Sequence, residues 1–130
     1  MTIAIARAGG IIRAARAGAE KMGIKVSIAV VDERGDLVAF ARMDGARFIT
    51  GDVSLGKARA SAFFGQPSGI LTERPAPVVL SHLLMNQGRL FFGQGAVPII
   101  EDGQVIGAVG VSGASSQQDE EVAKAGVEAK

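Results

Sequence analysis

Apolar and polar positions alternate along this chain with periods that change several times, and each change marks an element. From Thr2 to Met22 the apolar positions Ile5, Ala8, Ile12, Ala15, Ala19 and Met22 recur at steps of three and four, while Arg7, Arg13, Arg16, Glu20 and Lys21 lie elsewhere around the wheel. That spacing predicts an amphipathic helix, and Gly23 stands where a left-handed residue ends one. Gly9-Gly10 inside it weakens the helix by on the order of 1 kcal/mol per residue, so a close packing partner is expected there. Lys25–Val31 and Leu37–Arg42 are extended, apolar and joined by Asp32-Glu33-Arg34-Gly35-Asp36, which predicts a hairpin. A second helix is expected from about Asp52 to Phe64, capped by Thr50 or Asp52 and ended by Gly65.

Pro67, Pro75 and Pro77 punctuate a less regular stretch in which a short helix, about Val78–Met85, is expected. Three strands follow, Arg89–Phe92, Ala96–Glu101 and Gln104–Ser112. Asp102-Gly103 joins the last two with the residues that a two-residue turn with positive φ requires. Ser115 or Ser116 caps a final helix through Glu120, Val122 and Val127. No internal repeat or interdomain linker interrupts this order, so one α+β domain over residues 1–130 is expected, an antiparallel sheet of about five strands flanked by helices.

Composition narrows the chemistry. Fourteen basic residues against thirteen acidic leave a net charge of +1, interspersed rather than gathered, which argues against nucleic acid as a partner. The absence of cysteine excludes disulfides, thiolate metal sites and a cysteine nucleophile. No leader-like segment opens the chain and no apolar run approaches bilayer length, so a cytoplasmic protein without membrane contact is expected. Eighteen glycines and few aromatics imply a core of Ala, Val, Ile and Leu with close backbone approaches, and small-residue surfaces suit self-association into a homo-oligomer.

Few residues carry candidate chemistry. Lys57 lies among Leu55, Gly56, Ala58 and Ala60, so its amine either snorkels over the helix or emerges from a small-residue surface. In the second case it can meet a carboxylate or propionate, or act as a base or Schiff-base nucleophile with Glu120 or Asp44 as proton carrier. His82 is the sole histidine, which excludes a multi-histidine metal site within one chain and leaves three readings: structural, axial haem ligand, or acid–base group. Met85 is three residues on and would share its helical face. The turn Gly93-Gln94-Gly95-Ala96-Val97-Pro98 lacks the strand–turn–helix setting of a phosphate loop and reads either as a plain β-turn or as one that lies against a flat ligand. Asp32, Glu33 and Asp36 match no standard cation loop, and Asp119-Glu120-Glu121 at the start of the last helix are explained by its dipole; no specific metal site is expected.

Four segments together resemble the GlcG/HbpS-like haem-binding family, which includes the carboxy-terminal domain of PduO-type adenosyltransferases. They are Ile28-Ala29-Val30-Val31-Asp32 with Gly35 and Leu37; Ala41-Arg42-Met43-Asp44-Gly45-Ala46; Gly56-Lys57-Ala58-Arg59-Ala60 to Phe64; and Gly93 to Ile99 with Asp102-Gly103 and Ile106 to Gly113. The resemblance implies a profilin-like architecture, self-association in some members, haem or tetrapyrrole binding in some, and a catabolic-operon or redox-accessory setting. On it, Lys57 would meet an acidic substituent of the ligand and Gly93, Gly95 and Pro98 would lie against it, with His82 as the available imidazole. PduO-type relatives ligate haem through a histidine on the first helix, which this chain lacks, and Gln94 and Ala96 interrupt the family's glycine-rich turn. The expectation is a small-ligand binding module, with haem as cofactor. The alternatives are a small catabolic enzyme that uses Lys57 on an organic acid, and an assembly or accessory protein.

Overall fold

A computed structural model describes residues 1–129. Nine elements run in the order α1 (Ile5–Met22), β1 (Ser27–Asp32), β2 (Leu37–Arg42), α2 (Ile49–Phe64), a 3-10 turn (Ile70–Glu73), α3 (Ala76–Met85), β3 (Ala96–Glu101), β4 (Gln104–Ser112) and α4 (Ser116–Glu128). The four strands form one antiparallel sheet in the order β2-β1-β4-β3. Asp102 and Gly103 both take positive φ, 52° and 75°, as the β3–β4 turn demands.

Strand alternation sorts the core onto two faces. Ile28 and Val30 of β1, with Val109 and Val111 of β4, meet Ala8, Ile11, Ala15 and Ala19 of α1 and Val122 and Ala123 of α4. On the opposite face Val31 and Ala108 receive Ala58 and Ala62 of α2. That helix comes close because Gly110 has no side chain: a Cβ there would collide with the Ser54 carbonyl oxygen.

Several expectations are corrected. Ile11, rather than Ile12, fills the α1 core position, and Ile5 is exposed. Gly9 and Gly10 meet nothing nearer than the Arg13 side chain; the close approach to α1 is made by Gly126, whose Cβ would sit 3.0 Å from Ile11. The α2 N-terminus begins at Ile49 without a side-chain cap, because Thr50 turns inward to Ser27, 2.8 Å away. The sheet has four strands rather than about five: Arg89–Phe92 has no regular secondary structure and does not join it. Its backbone is diverted to α2, where the Phe91 amide donates to the Gly56 carbonyl, an approach that a Cβ at Gly56 would block at 2.8 Å from the Phe91 Cβ. Pro98 sits in β3, an edge strand, where its missing amide costs no interior ladder bond.

Candidate functional site

Two candidate sites flank the Phe91–Gly95 segment. At one end lies Lys57, which α2 directs inward between Gly56 and Ala58. Its ammonium donates to the Val111 carbonyl at 3.1 Å and to the Asp119 carboxylate at 3.3 Å, and the two side chains are only 6% and 3% exposed. Asp119 stands one turn into α4, which starts at a capping box: the Ser115 hydroxyl accepts from the Gln118 amide, and the Gln118 side chain accepts from the Ser115 amide. The other Asp119 oxygen accepts from the Ala114 amide at 3.0 Å. Burial lowers the Lys57 pKa and raises that of Asp119; their mutual attraction, and for Asp119 the Ala114 amide, oppose those shifts.

The glycine turn closes over this amine. Gly95 has φ +144°, and a Cβ there would stand 2.6 Å from the Val111 carbonyl and 2.7 Å from the Lys57 Nζ. Gly93 is tied by its carbonyl to the Ser68 hydroxyl, which in turn accepts from the Ala96 amide. Gln94 reaches Glu120, donating at 3.0 Å. Gly93 and Gly95 are thus brought to Lys57, whereas Glu120 is engaged by Gln94 and Lys124 and the Lys57 carboxylate partner is its neighbour Asp119. Asp44 lies elsewhere, on the exposed turn after β2.

At the other end of the segment runs α3. It is the most apolar stretch of helix in the chain, yet none of its residues is buried: Leu80, Leu84 and Met85 are 56%, 70% and 74% exposed. Beside it is a groove of about 390 Å³ lined by Val79, Leu80, Leu83 and Phe92 together with Arg74. The Arg74 guanidinium lies over the Phe64 ring, 4.8 Å from its centroid. His82 is half-buried and is not part of the groove's lining; it stands edge-on to Phe64 at 5.0 Å between centroids and 6.0 Å from Phe92. Met85 is exposed and does not line the groove.

Asp119, Arg74, Phe64 and Phe92 were not singled out from the sequence. For Asp119 a signal existed: Asp119, Val122, Ala123 and Gly126 follow the 0, 3, 4, 7 spacing of the buried α4 stripe. Arg74, between irregular proline-flanked segments, carries no such signal. Among the described residues no group of three or more His, Asp or Glu is placed to hold a metal ion, and no helix is long and apolar enough to cross a membrane.

A four-stranded antiparallel sheet flanked by helices, with a small-residue interior and an open apolar groove, defines a class of small α+β domains. The model of the family described as "Haem degrading protein HbpS-like" matches residues 3–128, and the chain belongs to that family. It is 39% identical to protein GlcG of Escherichia coli K12 over 113 residues, 81% of this chain and 77% of that one. The crystal structure of Klebsiella pneumoniae protein ORFY superposes with a TM-score of 0.92 at 33% identity, covering 98% of this chain and 90% of the other. The PduOC:heme complex shares the fold, with a TM-score of 0.89 at 22% identity over 98% and 94% of the two chains.

Proposed function

We propose that this chain is a single-domain, profilin-like binding module for haem or a related tetrapyrrole, working in a catabolic or redox-accessory setting. The observation that carries the reading is the unburied apolar helix α3 with its adjoining groove. Val79, Leu80, Leu83 and Phe92 offer a water-excluding wall to a flat apolar ligand, and Arg74 offers its guanidinium to a carboxylate substituent. The lining fits the apolar face and a carboxylate of such a group, through its aliphatic and aromatic wall and Arg74, while His82, the sole histidine, packs on Phe64 and Phe92 outside the lining and would have to turn inward to reach a metal. Haem, when bound, supplies redox and ligand-exchange chemistry at its iron. Membership of a family described as haem-degrading, and a shared fold with a heme complex, support the reading.

A hemin titration of the protein, followed in the Soret region beside Arg74→Gln and His82→Ala, tests it. Saturable binding weakened by Arg74→Gln is the expected result, and a loss of the ligated spectrum in His82→Ala would assign the axial group. The absence of a saturable Soret change would overturn haem as the ligand. Copies of the chain would cover the exposed face of α3 in a homo-oligomer; light scattering that reports a monomer with and without hemin would remove that part of the reading.

A second reading rests on the buried Lys57–Asp119 pair: an enzyme acting on a small organic acid, with Lys57 as base or electrophile. Its test is turnover of organic-acid substrates by the protein and by Lys57→Met. Equal rates in the two would remove it.

A further inference from the structure

The run Arg42-Met43-Asp44-Gly45-Ala46, distinctive in sequence, takes part in neither the α3 groove nor the Lys57 pair. Its first three residues, Arg42, Met43 and Asp44, line a separate cleft of about 460 Å³ between the C-terminal end of α1 and the end of β2. The backbone there is fixed: the Met43 amide donates to Val26 at 3.0 Å, and the Ala46 amide closes the turn onto Met43 at 3.1 Å. Gly45 has φ +87°, and a Cβ on it would stand 2.8 Å from the Lys25 Cδ and 3.3 Å from its Nζ. Glycine at this position therefore lets the exposed Lys25 side chain lie across the turn.

Three cations line the cleft, and their partners differ. Arg16 is neutralised by Glu20 at 2.9 Å. Neither Lys25 nor Arg42 pairs with a carboxylate among the described residues. The Arg42 guanidinium instead lies over the Phe48 ring, 4.6 Å from its centroid, a contact through the ring face that takes up none of its N–H donors. Ile24, Ala41 and Met43 supply an apolar lining between these cations, and Glu20 and Asp44 complete it.

We infer that this cleft is a binding site for a short-chain monocarboxylate. Its carboxylate is gripped by Arg42 and Lys25, and its alkyl part lies against Ile24, Ala41 and Met43. Two unpaired cations attract one anion, the apolar lining favours an organic acid over phosphate, and Asp44 disfavours a second negative charge on the ligand. The inference is independent of haem binding at α3.

The test is a titration of the ¹⁵N-labelled protein with butyrate at constant ionic strength, read by amide shifts. Saturating shifts at Ile24, Lys25, Met43 and Gly45 are expected, with succinate and inorganic phosphate binding more weakly than butyrate. Arg42→Gln and Lys25→Gln should each weaken binding by roughly five- to tenfold, the loss of one charge-assisted hydrogen bond near a surface. The same spectra report whether each variant keeps the fold, and either variant alone suffices. Shifts that stay linear in butyrate, spread away from the cleft, or persist unchanged in a folded variant would overturn the site, and phosphate binding more tightly than butyrate would overturn its assignment to a carboxylate.

Discussion

Lys57 and α3 lie on either side of one short segment, Phe91–Gly95, and solve opposite problems. The Lys57–Asp119 pair is charged and buried, and each partner is satisfied: two acceptors for the ammonium, an amide and an ammonium for the carboxylate. Helix α3 is apolar, and apart from the packing of His82 on Phe64 and Phe92 none of its residues is buried among the described residues. A satisfied buried pair fixes three elements, α2, β4 and α4, against one another. An unsatisfied apolar face is available to something outside the chain. The contrast separates where this molecule spends its rigidity from where it offers a surface.

Breaking the pair should have the largest effect. Lys57→Met leaves Asp119 buried without its counter-charge and should destabilise the fold by about 3–5 kcal/mol, measured by urea unfolding. Lys57→Met/Asp119→Asn keeps an acceptor for the Ala114 amide and removes both charges, so most of that loss should return; a double variant as unstable as the single one would show that the pair is more than a mutual compensation. Gly95→Ala forces a Cβ against the Val111 carbonyl and the Lys57 amine and should cost about 1–3 kcal/mol.

The pH dependence is smaller and its sign follows from burial. Asp119 has a folded pKa above its ordinary 3.8, so its stabilising contribution is complete below 3.8 and is lost as pH rises through the raised value. Lys57 has a folded pKa below 10.5, so its contribution is complete above 10.5 and is lost as pH falls through the lowered value. The pair therefore favours folding least between the two, and the Met/Asn double variant should flatten this part of the stability–pH curve. In Lys57→Met the Asp119 pKa moves higher still and its window extends upward. The smallest stability change is expected on the other side of the comparison: Leu80→Asp should alter unfolding by no more than about 0.5 kcal/mol while weakening hemin binding. A large loss of stability from Leu80→Asp would mean that α3 is part of the core after all.

Much of the fold was legible because its signals are local. The Gly23 and Gly65 ends, the Asp102-Gly103 turn and the Ser115 cap each require only neighbouring residues, and each stands where the spacing put it, whereas the α1 periodicity holds at Ala8, Ala15 and Ala19 but not at Ile5 and Ile12. The segment Arg89–Phe92 misled because it has the composition of a strand; whether such a segment pairs in a sheet depends on what lies beside it, and here Gly56 admits it to a helix instead. The candidate site was legible in part. Lys57 and the turn at Gly93 and Gly95 do come together, but the carboxylate that meets them is Asp119, which the helix dipole alone seemed to account for.

By itself the sequence determined the elements, their order, the absence of thiol chemistry and the family resemblance, since these reside in periodicity, turn residues and composition. Only the tertiary structure decided which charges are buried together and which apolar surface is left open. Both depend on distances between residues far apart in the chain: 62 positions separate Lys57 from Asp119. An apolar helix such as α3 has the same periodicity whether another element covers it or not, and only the assembled fold shows that here, among the described residues, none buries it.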